Sequence, residues 1–358
     1  MLIKNYMQNK KLKTFAQAIN EALIYCLKKN KNTLCYGLGI GDPKEIFNTT
    51  RDLQKKFGTE RVFDIPTSEN ALTGVGIGAA INGCNVVMTH QRLDFALLSL
   101  DQIINNAAKW HYIYDGKYKV PLTIRLIVGR GWGQGPTHSQ ALHSIFSHIP
   151  GLKVMIPFSP NDAKIMLINA VFDNNPIIFI EHRWLHESKG YVNIFKKVPK
   201  FKPIDKLSNG KDLTIVSSSI ATKDVLNILP ILKKNKINVD LLNLKQIKPL
   251  DEKKILRSVK KTGRLIVVDF GPSFLSIASE IISMISIKGF SYLKAPPIKI
   301  ALPDYPVPTS YYLTKNFYPD ENKIIKECEK LFKKKIYFKK NLKFKYHDIP
   351  NNNFNGPF

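Results

Sequence analysis

Apolar residues recur along this chain in two alternating rhythms. Short runs rich in β-branched residues read as strands, and longer segments with apolar positions three or four apart read as helices. Between 13 and 29, Phe15, Ile19, Ala22, Leu23, Cys26 and Leu27 fall on one helical face. Strands are expected at 34–38, 62–65, 85–89, 122–128, 153–156 and 176–181. Helices are expected at 69–82, 94–108, from just after His138 to Phe146, and at 162–172, the last opened by Ser159, Pro160 and Asn161. Phe95, Leu98, Ile103 and Ala107 form the expected core stripe of the 94–108 helix. Such alternation implies a mainly parallel sheet with helices on both faces.

Residues 190–211 interrupt the rhythm with a polar stretch carrying Pro199 and Pro203. The alternation then resumes, with strands at 213–217, 239–243 and 265–270 and helices at 222–233, 251–259 and 276–287. The expected division is a domain at 1–190, a linker at 191–211, a smaller domain at 212–330 and a basic tail at 331–358.

The stretch 69–82 is unusual for a helix. Ala71, Gly74, Gly76, Gly78, Ala79 and Ala80 crowd it with small residues, and Ser68 stands at its expected N-cap. Each interior glycine costs about 1 kcal/mol against alanine, so something should approach this backbone closely. Glu69 is open to two readings: a first-turn carboxylate facing water, or a buried carboxyl that hydrogen-bonds a cofactor. Gly74, Gly76 and Gly78 have the wrong spacing and position for a dinucleotide loop. Residues 39–43, Gly-Ile-Gly-Asp-Pro, lack the Gly-Lys-Ser/Thr of a phosphate loop and are read as a connection. Glycines at 129, 131, 133 and 135 mark a mobile loop, and Arg130 and Trp132 on it suggest a lid or a contact surface.

Composition adds limits. The chain has 358 residues, an apolar fraction of 44% and a formal charge of +26. Lysine is spread along it with abundant Asn and Ile, as coding-sequence bias would produce. The one concentrated block, 333–345, carries seven lysines and no acid; it reads as a solvated tail or a docking arm for an acidic partner. A nucleic-acid-binding protein would suit the charge, but no recognised nucleic-acid module accompanies it. No apolar run is long enough to span a bilayer, and the first residues lack the apolar segment of a signal peptide. Cys26, Cys35, Cys84 and Cys328 show no paired spacing, so reduced thiols in a soluble cytoplasmic protein are expected.

Seven segments, taken together, carry a resemblance: RVFDIPTSEN (61–70), GIGAAING (76–83), DFALLSLDQIINNAAK (94–109), VPLTIR (120–125), THSQ (137–140), PGLKVMIP (150–157) and DNNPIIFIE (173–181). In this order and spacing they resemble the beta subunit of the thiamin-dependent 2-oxo acid dehydrogenases, across about residues 12–320. The stretches 245–269 and 301–313 are similar to the family's C-terminal domain. The resemblance implies two α/β domains: a thiamin-diphosphate-binding fold of pyrimidine type, then a transketolase C-terminal-like domain.

It also implies a site. Glu69 would be the carboxyl that hydrogen-bonds the aminopyrimidine ring and makes the cofactor's own amine basic. Phe95 would pack on that ring, and His138 would handle protons near the substrate. Gln91, counted with the cofactor-binding residues, and Leu98 stand where relatives carry other side chains. His143 and His148 match nothing and are read as structural. Backbone oxygens of Leu122, Ala170 and Val171, with Asp173 and Asn175, would hold a structural potassium ion, a set suited to a hard cation. The Gly-Asp-Gly that binds magnesium and diphosphate in this superfamily is missing, so a partner must supply it. The family's answer is an alpha subunit in an α2β2 assembly, with a lipoyl acyltransferase receiving the acyl group. A second reading keeps thiamin diphosphate without the lipoyl step, in a transketolase-like or specialised decarboxylase, because 89–95 (THQRLDF) and 129–135 depart from pyruvate-type relatives.

Overall fold

The structure, a computed structural model, describes residues 10–338 and 349. The rest of the expected basic tail, 339–348 and 350–358, lies outside the described residues. The chain forms two compact units, whose described parts include 10–129 with 145–201, and 130–144 with 202–338.

In the first unit, β2 (Thr33–Gly37), β3 (Val62–Phe63), β4 (Asn85–His90), β5 (Leu122–Val128), β6 (Lys153–Met155) and β7 (Ile177–His182) lie in the order β6-β7-β5-β4-β2-β3. All neighbours among them run parallel. Every residue of β5 and β7 is buried, which is why both read as near-continuous apolar runs. The helix Phe15–Lys29 buries its predicted stripe against the helix Pro160–Val171. Capping boxes start both: Thr14 with Gln17, and Ser159 with Asp162. The sequence pattern does not announce the antiparallel pair of β1 (Lys10–Thr14) and β8 (Lys189–Asn193).

Ser68 occupies the N-cap of Glu69–Ile81 as expected, and its side chain makes no capping bond. Two local expectations are corrected. The segment 93–113 is not one regular helix: it passes from α (Leu93–Ala96) through 3-10 (Leu97–Ser99) and π (Gln102–Ala107) turns back to α (Ala108–Ile113). Changing pitch breaks the expected stripe, so Leu98 is 66% exposed while Ile103 and Ala107 are buried. After His138 the helix starts only at His143 and ends at His148.

In the second unit, β9 (Ile204–Lys206), β10 (Leu213–Ser218), β11 (Val239–Leu244), β13 (Leu265–Pro272) and β14 (Ile298–Leu302) form the order β14-β13-β10-β11-β9. Only β9 pairs antiparallel. The short β12 (Gln246–Lys248) follows β11. Ile215, Val225, Leu241, Ile266, Ile324 and Cys328 anchor its core. Thus residues 191–193 and 204–206, drawn into the linker, are strand residues of the two units.

Among the described residues no helix is long and apolar enough to cross a membrane, and all four cysteines are free.

Candidate functional site

The C-terminal ends of parallel strands are where open α/β sheets bind ligands. In the first unit they carry much of the chain's candidate chemistry. The Gly39–Pro43 turn follows β2, Glu69 follows β3, Gln91, Arg92 and Phe95 follow β4, Gly129 follows β5, and Arg183 follows β7.

Glu69 is half-buried in the first turn of its helix. Its carbonyl accepts the Thr73 hydroxyl at 2.8 Å. Its carboxylate makes no hydrogen bond or ion pair among the described residues. The small residues of the helix serve two ends. A Cβ on Gly76 would lie 2.2 Å from the Tyr36 hydroxyl, which donates to the Leu72 carbonyl, so here the close neighbour is Tyr36. A Cβ on Gly78 would meet nothing within 4 Å. An unpartnered carboxylate beside small residues fits a heterocycle that offers a hydrogen bond and a flat face.

Gln91 has a task within the chain. Its amide donates to the Leu38 carbonyl at 2.8 Å and lies where a Cβ on Gly39 would sit, at 2.1 Å. Gly39 has φ of +84°, so glycine is needed there for both shape and space. Asp64 completes the turn by accepting the Gly39 amide at 3.0 Å. Phe95 is half-buried, and its amide donates to the Arg92 carbonyl at 3.2 Å.

The five expected potassium ligands are all in the first unit, around the turn that ends the helix Pro160–Val171. Asp173 accepts Lys153 Nζ at 2.6 Å on one oxygen, and the backbone and side-chain nitrogens of Asn175, both at 2.9 Å, on the other. Despite half-burial, these bonds hold its carboxyl below the usual range. The Val171 carbonyl accepts Asn85 Nδ2 at 2.7 Å, and the Ala170 carbonyl accepts the Asp173 amide at 3.1 Å. The oxygens of Ala170, Val171 and Asp173 are thus already engaged within the chain, and Lys153 occupies the charged member of the set.

His138 belongs to the second unit and is exposed, with Nδ1 3.0 Å from the Thr137 hydroxyl. The glycine loop before it is packed: a Cβ on Gly135 would meet Thr309 Oγ1 at 2.3 Å, and Arg130 lies 4.7 Å from the Tyr318 ring. Just after it, buried His143 bonds Asp269 through Nε2 at 2.8 Å. His143, read from the sequence as structural, has a carboxylate partner that its own neighbourhood in sequence does not reveal.

Sequence reasoning passed over four groups. Arg125 and Glu181 are fully buried and joined by two bonds, at 2.6 and 3.0 Å. Arg92 and Arg183 are 7% and 1% exposed, and their Cζ atoms lie 4.9 and 4.5 Å from the Phe47 ring centroid. The available signal was a charge inside or beside an apolar run.

Residues 11–188 match the pyrimidine binding domain of transketolase, and residues 203–324 its C-terminal domain. The pyruvate dehydrogenase E1 component subunit beta of Rickettsia bellii is 32% identical, over 89% of this chain and 98% of its own. The acetoin:2,6-dichlorophenolindophenol oxidoreductase subunit beta of Bacillus subtilis is 33% identical over 87% and 95%. Its pyruvate dehydrogenase counterpart from the same organism is 34% identical over 83% and 92%. A solved structure described as a split gene transketolase, inactive beta4 tetramer, superposes with a TM-score of 0.71 over 89% of this chain and 98% of that one, at 18% identity, a likeness of fold alone. The chain belongs to the family of beta subunits of the thiamin-dependent 2-oxo acid dehydrogenases, and is an enzyme subunit of transketolase-like fold.

Proposed function

We propose that this chain supplies the pyrimidine side of a thiamin diphosphate site in a cytoplasmic α2β2 enzyme of pyruvate dehydrogenase type. The enzyme decarboxylates a 2-oxo acid oxidatively and passes the acyl group to a lipoyl group on an acyltransferase. The observation that carries the reading is the Glu69 carboxylate, half-buried and without a partner among the described residues, at the head of a small-residue helix.

When bound, thiamin diphosphate supplies an acidic thiazolium carbon that can act as a nucleophile. The residues of this chain do the rest of what is assigned to it. Glu69 holds a proton against the pyrimidine nitrogen. Phe95 packs on the ring face. Gln91 keeps the turn at Gly39 closed beside it. His138 takes or gives a proton at the substrate oxygen, the work for which imidazole is suited near neutral pH. Magnesium and diphosphate would be held through the alpha subunit, because this chain lacks the Gly-Asp-Gly sequence. Leu122, Ala170, Val171, Asp173 and Asn175 would offer a potassium ion oxygen ligands, and would hold it weakly because Lys153 already pairs with Asp173.

The test is co-expression with an alpha subunit and an assay of thiamin-dependent decarboxylation coupled to a lipoyl domain. Glu69→Gln is expected to abolish turnover; full activity in that variant refutes the reading. Decarboxylation that never reaches the lipoyl domain would favour the specialised decarboxylase instead.

A further inference from the structure

Two buried cations meet at one aromatic ring in the first unit. Arg92 follows β4 and Arg183 follows β7, the strands flanking β5. Their guanidinium carbons lie 4.9 and 4.5 Å from the centroid of Phe47. Gly129, at the end of β5 between them, contributes no side chain. Contact with a ring face returns about 0.5–2 kcal/mol per cation. Burying each charge costs several kcal/mol, and here two like charges are buried together. Burial brings Arg183 down to about 10, Arg92 adds to the effect, and Glu187 opposes it. Burial likewise lowers Arg92, against the pull of Asp94.

Arg92 has no carboxylate at ion-pair distance among the described residues, and its one internal bond, from Nη1, goes to the Gln91 carbonyl at 2.9 Å. Its Nε is buried with no partner, and so is Nε2 of His90, two residues earlier at the same strand end. Phe47 itself is held by a run of left-handed residues, Glu45 to Asn48, with φ between 41° and 64° and no glycine among them. Backbone of this kind costs of order 1–3 kcal/mol per residue and collects at functional sites. Arg92 is also in the turn that carries Phe95, whose amide it accepts.

We infer that Arg92 and Arg183, stacked on Phe47, form a binding site for an oxyanion of the substrate, so that the preferred 2-oxo acid carries a second carboxylate or a phosphate at its far end. The inference rests on the proposed function and narrows its substrate. A guanidinium fork matches a carboxylate or phosphate in two parallel bonds, and the ligand's charge would offset the repulsion between the two arginines.

The test uses the complex with its alpha subunit and four substrates: pyruvate, 2-oxobutyrate, 2-oxoglutarate and 3-phosphohydroxypyruvate. The wild-type enzyme is expected to prefer one of the last two in kcat/KM, and which of them wins separates carboxylate from phosphate. Arg92→Gln should lower the ratio of anionic to uncharged-tail substrate by about 10- to 100-fold, the worth of a hydrogen bond to a charged group. Arg92→Lys, which keeps the charge without the fork and guards against a folding defect, should restore part of it. A second reading is thermal protection of the complex, without thiamin diphosphate, by 2-oxoglutarate and by 3-phosphohydroxypyruvate against 2-oxobutyrate. A wild type that prefers pyruvate, with a ratio unchanged in Arg92→Gln, overturns the inference while the proposed function stands. So does an Arg92→Gln variant that only needs more thiamin diphosphate. Protection by an anion, lost in Arg92→Gln, with no 2-oxo acid decarboxylated, keeps the anion site and overturns the proposed function.

Discussion

Replacing Glu181 by glutamine should cost this protein about 3 kcal/mol, and the structure says where the cost comes from. Glu181 ends an entirely buried strand and is itself fully buried. Arg125 Nε donates to one of its oxygens at 2.6 Å and Nη2 to the other at 3.0 Å, while His186 Nε2 stands 3.2 Å away. Burial alone would raise this carboxyl; the Arg125 charge and its two bonds, with His186 close by, outweigh it and hold the group down at about 2. Against its ordinary 4.5, that difference corresponds to about 3 kcal/mol. Removing one partner of a buried ion pair costs about 3–5 kcal/mol, which sets the same scale.

The assay is scanning calorimetry of the whole chain at pH 7.5 and at falling pH. At about 2–4 °C per kcal/mol for a domain of this size, Glu181→Gln should melt roughly 6–12 °C lower. The folded-state value is depressed, so the contribution is full above about pH 4.5 and disappears as pH falls toward 2. The gap between wild type and variant should therefore close across that window. A variant melting within about 1 °C of wild type at pH 7.5, or a gap that stays constant down to pH 2.5, refutes the reasoning. Arg125→Met combined with Glu181→Leu should lose less than either change alone, because no lone charge is left inside.

Glu69→Gln should abolish thiamin-dependent turnover yet leave unfolding free energy within about 0.5 kcal/mol, since the carboxylate bonds nothing among the described residues; parallel urea titrations check the second half. Gly76→Ala places a methyl 2.2 Å from the Tyr36 hydroxyl and should destabilise by about 1–3 kcal/mol, with Tyr36→Phe relieving part of it in the double variant. Burial holds His90 at about 4 in place of 6.5, so the stability it contributes is full above pH 6.5 and is lost as pH falls toward 4. His90→Phe should flatten that part of a pH series of urea midpoints. Exchanging potassium for choline at equal ionic strength should lower the melting free energy by no more than about 1.5 kcal/mol, as expected of a weakly held ion; a larger loss would mean that Lys153 does not compete.

The strand pattern is legible because parallel strands buried on both faces are written as unbroken apolar runs. The predicted 122–128 coincides with Leu122–Val128. The helix Pro160–Val171 is legible because its capping box is local. What stays hidden is either a change of helical pitch, as at Leu98, or a pairing across long sequence separation. Arg125 and Glu181 are 56 positions apart, and His143 and Asp269 are 126 apart. No window of the sequence contains both members.

The same distinction sorts the buried charges of the molecule. A charged residue inside an apolar run must find its partner somewhere, or the run would not bury. Arg125 finds Glu181 within the same sheet, and His143 finds Asp269 through Nε2. Glu69 and Arg92 lie on the C-terminal side of their strands, and neither bonds a charged partner among the described residues. Among the described residues one is an anion without a donor and the other a cation without a carboxylate; Arg92 is three residues from Phe95, and Glu69 follows β3, which β2 separates from β4. Opposite unmet demands at one edge of a sheet suit a pair of ligands of opposite character: a heterocycle that offers a hydrogen-bonding nitrogen, and an acid that brings a negative tail.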